Sequence, residues 1–415
     1  MELLAPSNPR TEHQGMIAVI DLPRRIDLGL AADIEKEAAF VSPYLGALRV
    51  TGGGAAVELE VADRSRDAEV RGKVERFLDA MLKRTHRFEP KVFLRHERCD
   101  HGPLVTGVNE ELLRRGWLFA YGRGHVALAG PALALAELID AKAAALYVQH
   151  FRAEPRSFPA FVDADILHRC GYFDSHPNAI SFIGHMVEDF DAIEAFRQAN
   201  SCAEGALMPG ADHVHLPGLC LNPAACFPCY PTLAGRRIGE DGAAFSWKGR
   251  VFRYESRNLV GLDRLWEFNV RELVLVGSED HVAECRRRAL PVIGDLARIF
   301  DLECRIETAS DPFFATVSAA RTFWQRAQEV KNEIILTIEP GPDGARRELA
   351  CGSINLHGKF FGDRFDIGAS DGLADGTAAT ACIGLGIERW VLAAFSQHGF
   401  EPGRWPEAVR REIFG

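Results

Sequence analysis

The sequence lacks the long apolar run of a membrane-spanning helix, since no stretch approaches the roughly 20 apolar residues required. Its first residues, MELLAPSNPRTEHQGM, lack the basic and then apolar order of a signal peptide. It also has neither of the two common glycine-rich phosphate motifs, GxxxxGK[ST] and GxGxxG. These absences argue against P-loop and dinucleotide-binding proteins, and we expect a cytoplasmic protein.

Positive charge is in deficit, because the net charge is −10 over 415 residues. That balance disfavours a general basic surface for nucleic acid, although it permits a local patch. Ten cysteines without an export signal favour a reducing compartment, where most are buried thiols and a few are metal ligands. Cys226 and Cys229 form a single CxxC without a second one, so a four-cysteine zinc ribbon is disfavoured.

The pattern along the chain predicts an α+β protein with two domains. Residues 1–15 are predicted to be a flexible tail, 16–104 a smaller N-terminal α+β domain, and 105–415 the main domain. Apolar residues recur at helical spacing over 67–88, and a second helix is predicted over 130–151. Strands are predicted at 17–20, 251–254, 273–276, 334–338 and 365–367, and the glycines 52–54 predict a hairpin turn. The strands of the main domain favour a largely antiparallel sheet that is covered mainly on one side.

The stretch 252–277, FRYESRNLVGLDRLWEFNVRELVLVG, carries the strongest chemical signal. It predicts an extended segment at 252–255, a connection around 259–262 and a return strand at 266–276. An arginine fork suits a phosphate oxygen, a glutamate accepts from an exocyclic amine, and a phenylalanine offers a stacking face. The segment therefore predicts a nucleotide site. A charged hairpin at the edge of a sheet explains it equally well.

A second segment, GLGIERW at 384–390, opens a predicted helix with Arg389 in its first turn. Together, and in this order, the two segments resemble motifs 2 and 3 of class II aminoacyl-tRNA synthetases. The resemblance implies the fold of that class: a mostly antiparallel sheet flanked by helices, here with a smaller N-terminal α+β domain. It also implies a homodimer that pairs around residues 159–177.

The motifs RYES…GLDR…EF…RE, SIN at 353–355 and CIGLGIERW at 382–390 narrow the resemblance. They are similar to the atypical seryl-tRNA synthetases of methanogens and to the related bacterial amino acid:[carrier protein] ligases. The stretches at 171–177, 311–314, 328–333 and 355–362 look like the ligases, and the tail at 400–407 looks like the synthetases. We favour the ligase branch.

This resemblance implies an ATP site built from the two motifs. Its residues would be Arg253 at the α-phosphate, Glu255 at the adenine amine, Phe268 on the adenine ring, and Arg264 with Arg389 at the distal phosphates. Arg253 and Arg389 would act in catalysis, which depends here on positioning and on neutralisation of charge.

Three further residues carry expectations from the same resemblance. Glu348 would bind a magnesium ion that bridges the phosphates, and its alternative is a solvated carboxylate on a strand. Asn355 and His357 would contact the substrates. For His357, a structural hydrogen bond is an alternative to orienting a substrate group or an incoming thiol.

The family also implies a zinc ion bound by Cys226, Glu272 and Cys382, which are too far apart in sequence for a local zinc motif. Two thiolates and one carboxylate leave a fourth tetrahedral position open, as catalytic zinc sites do. In the family this position takes the amino group of the amino-acid substrate. Without the family, each cysteine is more simply a buried thiol.

The implied reaction is ATP-dependent formation of an aminoacyl-adenylate, followed by transfer to the phosphopantetheine thiol of a carrier protein. The ligase branch implies glycine or alanine as substrate. One alternative is a seryl-tRNA synthetase that charges tRNA, and another is an inactive synthetase-like scaffold. If residues 16–104 dock the carrier protein, their deletion is expected to abolish transfer and spare adenylate formation.

Overall fold

The computed structural model describes residues 16–84, 90–99, 102–201, 203, 205–309, 331–341, 344–370 and 375–415. The tail predicted at 1–15 and the ligase-like residues at 311–314 and 328–330 lie outside these ranges. In the part of the chain that the structure describes, no helix combines the length and the apolar character needed to cross a bilayer.

A small N-terminal unit comes first in the chain. It consists of β1 (Met16–Asp21), α1 (Ala31–Glu37), β2 (Leu45–Thr51), β3 (Ala56–Val61) and α2 (Asp67–Arg84). The strands form an antiparallel sheet in the order β1-β3-β2. Helix α2 packs Val70, Val74 and Leu78 into a core shared with this sheet, at the spacing that the sequence predicts. Glycines 52–54 all have positive φ angles and join β2 to β3, which confirms the predicted turn.

The remaining elements belong to a larger unit. In chain order they are β4 (Val92–His96), α3 (Val108–Arg114), β5 (Leu118–Gly122), β6 (His125–Leu128), α4 (Gly130–Phe151), β7 (Glu154–Pro155), β8 (Phe161–Asp163), α5 (Ala164–Arg169), α6 (Tyr172–Ser175), β9 (Phe182–Met186), α7 (Phe190–Ser201), β10 (Val214–Leu221), β11 (Arg237–Ile238), β12 (Ala243–Phe252), β13 (Glu267–Gly277), α8 (Glu279–Ile299), β14 (Cys304–Thr308), β15 (Lys331–Ile338), β16 (Arg347–Gly358), α9 (Phe360–Phe365), β17 (Gly368–Ser370), β18 (Asp375–Thr377), β19 (Ala379–Gly386), α10 (Ile387–His398) and α11 (Glu407–Phe414). The helix predicted over 130–151 is confirmed at both ends.

An eight-stranded sheet dominates this unit, in the order β4-β14-β15-β16-β19-β13-β12-β7. Each neighbouring pair is antiparallel apart from β12 with β7. The predicted α+β fold with a largely antiparallel sheet is confirmed. Strand β4 forms one edge of this sheet by pairing with β14, although the sequence division at 104 groups its residues with the N-terminal unit.

The two faces of the large sheet differ in chemistry because successive strand residues point to opposite sides. Leu273, Leu275 and Ile383 face α4, α8 and α10 in the main hydrophobic core. Glu272 and Cys382 point to the other side. Residues from the segment 158–238 cover part of that second face in a smaller core around Trp247.

Two strand predictions are wrong in their placement. Strand β12 ends at Phe252, so 253–255 do not continue it. The N–H of Arg253 still donates to the carbonyl of Trp266 on the side of β13 (2.8 Å). The N–H of Tyr254 instead donates to the carbonyl of Ala179 (3.2 Å), so the pairing of β12 with β13 does not continue beyond Arg253. Residues 365–367 are not a strand either, because the apolar side chains at the i and i+4 positions of α9 pack together as a helix (Phe361 and Phe365).

Candidate active site

The second face of the large sheet, opposite the main core, brings Cys226, Glu272 and Cys382 together. Strands β13 and β19 pair with Val274 opposite Cys382, so Glu272, two residues before Val274, lies on the same face. Cys226 lies in the loop after β10. One ligand atom from each of the three residues lies within 4.8 Å of the others. All three residues are buried, with exposed fractions of 6%, 3% and 5% respectively.

Burial and the contact between the two thiols dominate the electrostatics of this cluster. The hydrogen bond between the two thiols lowers the pKa of Cys226 and raises that of Cys382 well above its usual range. Burial, reinforced by the negative charge at Cys226, raises the pKa of the Glu272 carboxyl far above its ordinary value. Among the described residues, none donates a hydrogen bond to Glu272 Oε1.

These donors fit a zinc ion. Thiolate and carboxylate are ligands that zinc uses, and a buried carboxylate oxygen without a donor is costly unless a cation neutralises it. Gly384 on β19 leaves room for the carboxylate, because a Cβ there would lie only 3.0 Å from Glu272 Oε2. The sequence prediction of these three ligands is thus matched by a shared pocket.

Asn355 and His357, the predicted substrate residues, border the same cluster from β16. The amide nitrogen of Asn355 donates to Ser353 Oγ (3.0 Å) and lies 3.6 Å from Cys382 Sγ. His357 Nδ1 is 3.1 Å from Thr380 Oγ1, and its Nε2 is 3.6 Å from Cys382 Sγ. Burial lowers the pKa of His357 to about 4, so the ring is neutral at pH 7.

Two aromatic residues that sequence reasoning missed wall this pocket. Tyr230 stacks on Phe361 with ring centroids 3.9 Å apart, and the Phe361 ring lies 4.8 Å from that of His357. Both aromatic rings are buried. Two sequence features could have pointed to these rings: the apolar i, i+4 pair in α9, and the position of Tyr230 four residues after Cys226. Neither feature indicates which pocket the rings face.

The predicted nucleotide residues gather beside this pocket at the end of β12 and the start of α10. The Arg253 guanidinium lies 5.6 Å from the centroid of the Phe268 ring, and its Nε donates to the carbonyl of Pro223 (2.8 Å). Arg264 and Glu255 form an ion pair at 2.5 Å. Although burial opposes ionisation of Glu255, Arg264 holds the pKa of this carboxyl below its usual range.

Arg389 completes this group from the first turn of α10. It donates to the main-chain carbonyls of Asp263 (2.8 Å) and Ala350 (2.7 Å). Burial lowers its pKa, and the charges of Arg253, Glu255 and Arg264 act on it at short range. The structure therefore brings five of the six predicted ATP residues into one region, and the sixth is Glu348.

Glu348, the predicted magnesium ligand, lies on β16 in a network of ion pairs. Its carboxylate pairs with Arg305 and with Arg346 (3.5 Å). Burial opposes its ionisation, but the two arginines more than offset this effect and lower its pKa. Glu348 is exposed on β16, as the alternative of a solvated strand carboxylate expects, and a magnesium ion would have to compete with the two arginines.

The fold and the motif residues define a class II aminoacyl-tRNA synthetase core. The M. kandleri SerRS, solved in complex with A. aeolicus tRNASec, superposes with a TM-score of 0.68 at 22% identity, covering 96% of this chain and 77% of that one. The cytoplasmic serine-tRNA ligase of Naegleria fowleri, solved with AMP, gives a TM-score of 0.57 at 12% identity over 85% of this chain and 80% of that one. At these identities the likeness shows the fold.

Sequence comparison narrows the class to a family. Amino acid–[acyl-carrier-protein] ligase 1 of Bradyrhizobium diazoefficiens is 33% identical over 289 residues, which are 68% of this chain and 83% of the relative. Ligase 2 of the same organism is 35% identical over 262 residues, 62% of this chain and 73% of that relative. The type-2 serine–tRNA ligase of Methanopyrus kandleri is 27% identical over 320 residues, 74% of this chain but only 60% of that protein. No family model matches the chain.

The chain belongs to the amino acid–[acyl-carrier-protein] ligase family, whose wider group includes the type-2 serine–tRNA ligases. It is therefore an amino acid ligase of the class II synthetase type.

Proposed function

We propose that this protein activates a small amino acid with ATP and transfers it to the phosphopantetheine thiol of a carrier protein. The observation that supports this proposal most strongly is the buried cluster of Cys226, Glu272 and Cys382 beside the motif 2 and motif 3 residues. A pocket that holds an amine next to an ATP site is what formation of an aminoacyl-adenylate requires. The names of the two ligase relatives include the acyl-carrier protein, which supports a carrier protein as the acceptor.

Cys226, Glu272 and Cys382 would hold zinc in this site. Bound zinc with three protein ligands supplies an open coordination position for the α-amine of the substrate. Around that position, the stacked rings of Tyr230 and Phe361 limit the space for a side chain. This restriction supports glycine or alanine as substrate, although a single methyl group changes discrimination by only about 1–3 kcal/mol.

The nucleotide would lie across the five motif residues. Phe268 offers its ring to adenine, and the Glu255 carboxylate is ionised and able to accept from the exocyclic amine. Arg253 would neutralise the α-phosphate, where charge develops during the reaction, and Arg264 and Arg389 would contact the distal phosphates. Arg264 would exchange its ion pair with Glu255 for a phosphate contact. We also assign magnesium to Glu348, whose carboxylate would leave Arg305 and Arg346 on binding.

The chemistry then needs no side-chain nucleophile. A carboxylate oxygen of the amino acid attacks the α-phosphorus, the bond to the bridging oxygen of the β-phosphate breaks, and pyrophosphate leaves with the electron pair. In the second step the thiol sulfur attacks the carbonyl carbon of the adenylate. The bond to the AMP oxygen breaks, AMP leaves, and the thiol proton passes to solvent. The chain contributes position and charge in both steps.

The alternative acceptor is the 3′ end of tRNA. The structural likeness to a seryl-tRNA synthetase over 96% of this chain, which includes the N-terminal unit, supports it. The net charge of −10 opposes it, because binding to a phosphate backbone depends on basic groups. A homodimer that pairs around 159–177 is part of the same proposal, and its only support is the resemblance to class II synthetases.

The decisive experiment offers both acceptors in parallel. Labelled glycine, alanine or serine is incubated with ATP, magnesium and either a holo carrier protein or total tRNA. We expect label on the carrier in a linkage that hydroxylamine cleaves, as it cleaves a thioester, and none with the apo carrier. Label on tRNA alone would replace the proposal by a compact seryl-type synthetase. Absence of label on either acceptor, together with absence of ATP–pyrophosphate exchange, would refute amino-acid activation.

A further inference from the structure

The connection between β12 and β13, residues 253–266, is held from several sides. Asn109 Oδ1 accepts from the N–H of Leu262 (2.9 Å), and the carbonyl of Gly124 accepts from the N–H of Trp266 (3.0 Å). The His125 ring stacks on Trp266 at 5.1 Å. These contacts anchor the second half of the connection, from residue 259 onward, to the larger unit.

The first half of the connection is supported by the N-terminal unit instead. A single 3-10 turn, Ser256–Asn258, directly follows Glu255. The amide nitrogen of Asn258 donates to the main-chain carbonyl of Lys36 at the end of α1 (3.0 Å), and Ser256 Oγ lies 3.5 Å from the carbonyl of Ala39. The turn therefore contacts the end of α1 and the residues that follow it.

Charged groups also interact between the turn and the N-terminal unit. Lys36 is among the cations that lower the pKa of Glu255, after Arg264. On the other side of the turn, burial lowers the pKa of Arg257, and the carboxylate of Glu60 on β3 partly compensates for that effect. Two separate elements of the N-terminal unit thus face the turn.

The backbone of the turn requires such support. Ser256 has a φ of 53°, in the left-handed region that residues other than glycine adopt at a cost of roughly 1 kcal/mol or more. Asn258 closes the turn by donating its N–H to the carbonyl of Glu255 (3.1 Å). Asn258 therefore links the backbone of Glu255, through its own N–H, to the N-terminal unit, through its side chain.

We propose that the N-terminal unit positions the adenine-binding residue of the active site, with Asn258 as the positioning residue that joins the turn to the carbonyl of Lys36. The inference rests on the proposed function for the role of Glu255. It also revises the expectation that the N-terminal unit is needed for acceptor transfer but not for adenylate formation. In this structure that unit contacts the ATP half of the site.

The test compares Asn258→Ala and Asn258→Asp with a matched control. Aspartate keeps the shape of the side chain but cannot donate to a carbonyl. Ser65→Ala is the control, because it removes a hydrogen bond to Asp63 (2.7 Å) within the N-terminal unit and away from the turn. In ATP–pyrophosphate exchange we expect both Asn258 variants to raise KM for ATP roughly 2- to 10-fold, the range that one hydrogen bond allows. KM for the amino acid and kcat should change less than twofold, and the control should match the wild type.

Amide hydrogen exchange of the peptide that covers 253–266 gives a readout independent of activity. We expect faster exchange in that peptide for both Asn258 variants and unchanged exchange for the control. An unchanged KM for ATP in both Asn258 variants overturns the proposal, as does an equal rise in KM for both substrates, which marks a general loss of structure. If the wild type neither binds ATP nor catalyses exchange, the proposed function fails. In that case unchanged amide exchange in the variants would still refute the contact on its own.

Discussion

Zinc affinity should depend steeply on pH, because metal ligands must lose their protons to bind. In the structure, the pKa values of Cys382 and Glu272 are both raised well above their usual range, whereas that of Cys226 is lowered. A zinc ion has to displace the protons of these ligands, and the Cys382 thiol, whose pKa is raised further above neutral, carries one of them. Lower pH favours the protonated, metal-free form, so the apparent affinity should rise with pH.

The size of the effect follows from the proton count. Each released proton makes the apparent association constant increase about 10-fold for each pH unit, or about 1.4 kcal/mol. Cys382→Ser removes one of these protons, since a serine hydroxyl does not ionise in this range. The hydroxyl can still donate to Cys226 and keep its pKa low. We therefore expect a slope for the variant that is lower than that of the wild type by about a factor of 10 per pH unit. The deficit in zinc affinity should be larger at pH 8 than at pH 6.

The assay is competition with a chromophoric chelator at pH 6, 7 and 8, with metal-free protein as the starting point. Cys229→Ser is the matched control, because Cys229 is buried three residues from Cys226 but lies outside the ligand cluster. It should keep the wild-type slope and affinity. Amino-acid-dependent ATP–pyrophosphate exchange should be lost together with zinc in Cys382→Ser. A pH-independent affinity in the wild type, or a wild-type slope and affinity in Cys382→Ser, would refute the ligand assignment.

Three further variants test the nucleotide site and the core. Phe268→Leu should raise KM for ATP roughly 2- to 12-fold in exchange assays, because an aromatic contact contributes about 0.5–1.5 kcal/mol; an unchanged KM would contradict the stacking role. Arg389→Lys removes the guanidinium group that donates to two main-chain carbonyls. Because a charged hydrogen bond contributes about 1.5–3 kcal/mol, kcat/KM for ATP should fall roughly 10- to 150-fold. A wild-type value would contradict this argument. Asp140→Asn leaves Arg271 without its buried bidentate partner (2.7 Å), so the free energy of unfolding in denaturant should fall by about 3–5 kcal/mol. Glu137→Gln, which removes only an exposed ion pair, should change it by less than about 1 kcal/mol.

Local patterns predicted the elements whose own residues specify them. Helix α4 has the predicted bounds because Gly130 and Pro131 start it and Arg152 ends it in a left-handed conformation. The strand predicted at 365–367 failed because Phe361 and Phe365 meet only in a helix, where they pack near Tyr230 from a distant segment. The strand predicted at 251–254 ends at Phe252 because the carbonyl of Ala179, far away in sequence, accepts from the N–H of Tyr254. In both cases a partner from a distant segment, Tyr230 or Ala179, lies outside the local pattern.

The amino-acid sequence alone was sufficient for the α+β class and the antiparallel core, because these follow from periodicity and composition. Resemblance added the roles of the motif residues and the three cysteine and glutamate positions of the metal cluster. Folding then determined which of these residues meet: strand register sets Glu272 beside Cys382, and a loop brings Cys226 to them. The stacking of Tyr230 on Phe361, the ion pair of Arg305 with Glu348 and the contact between Asn258 and Lys36 depend on segments that are distant in the chain. Such contacts are decided by the packing of the whole molecule, since no short stretch of sequence contains both partners.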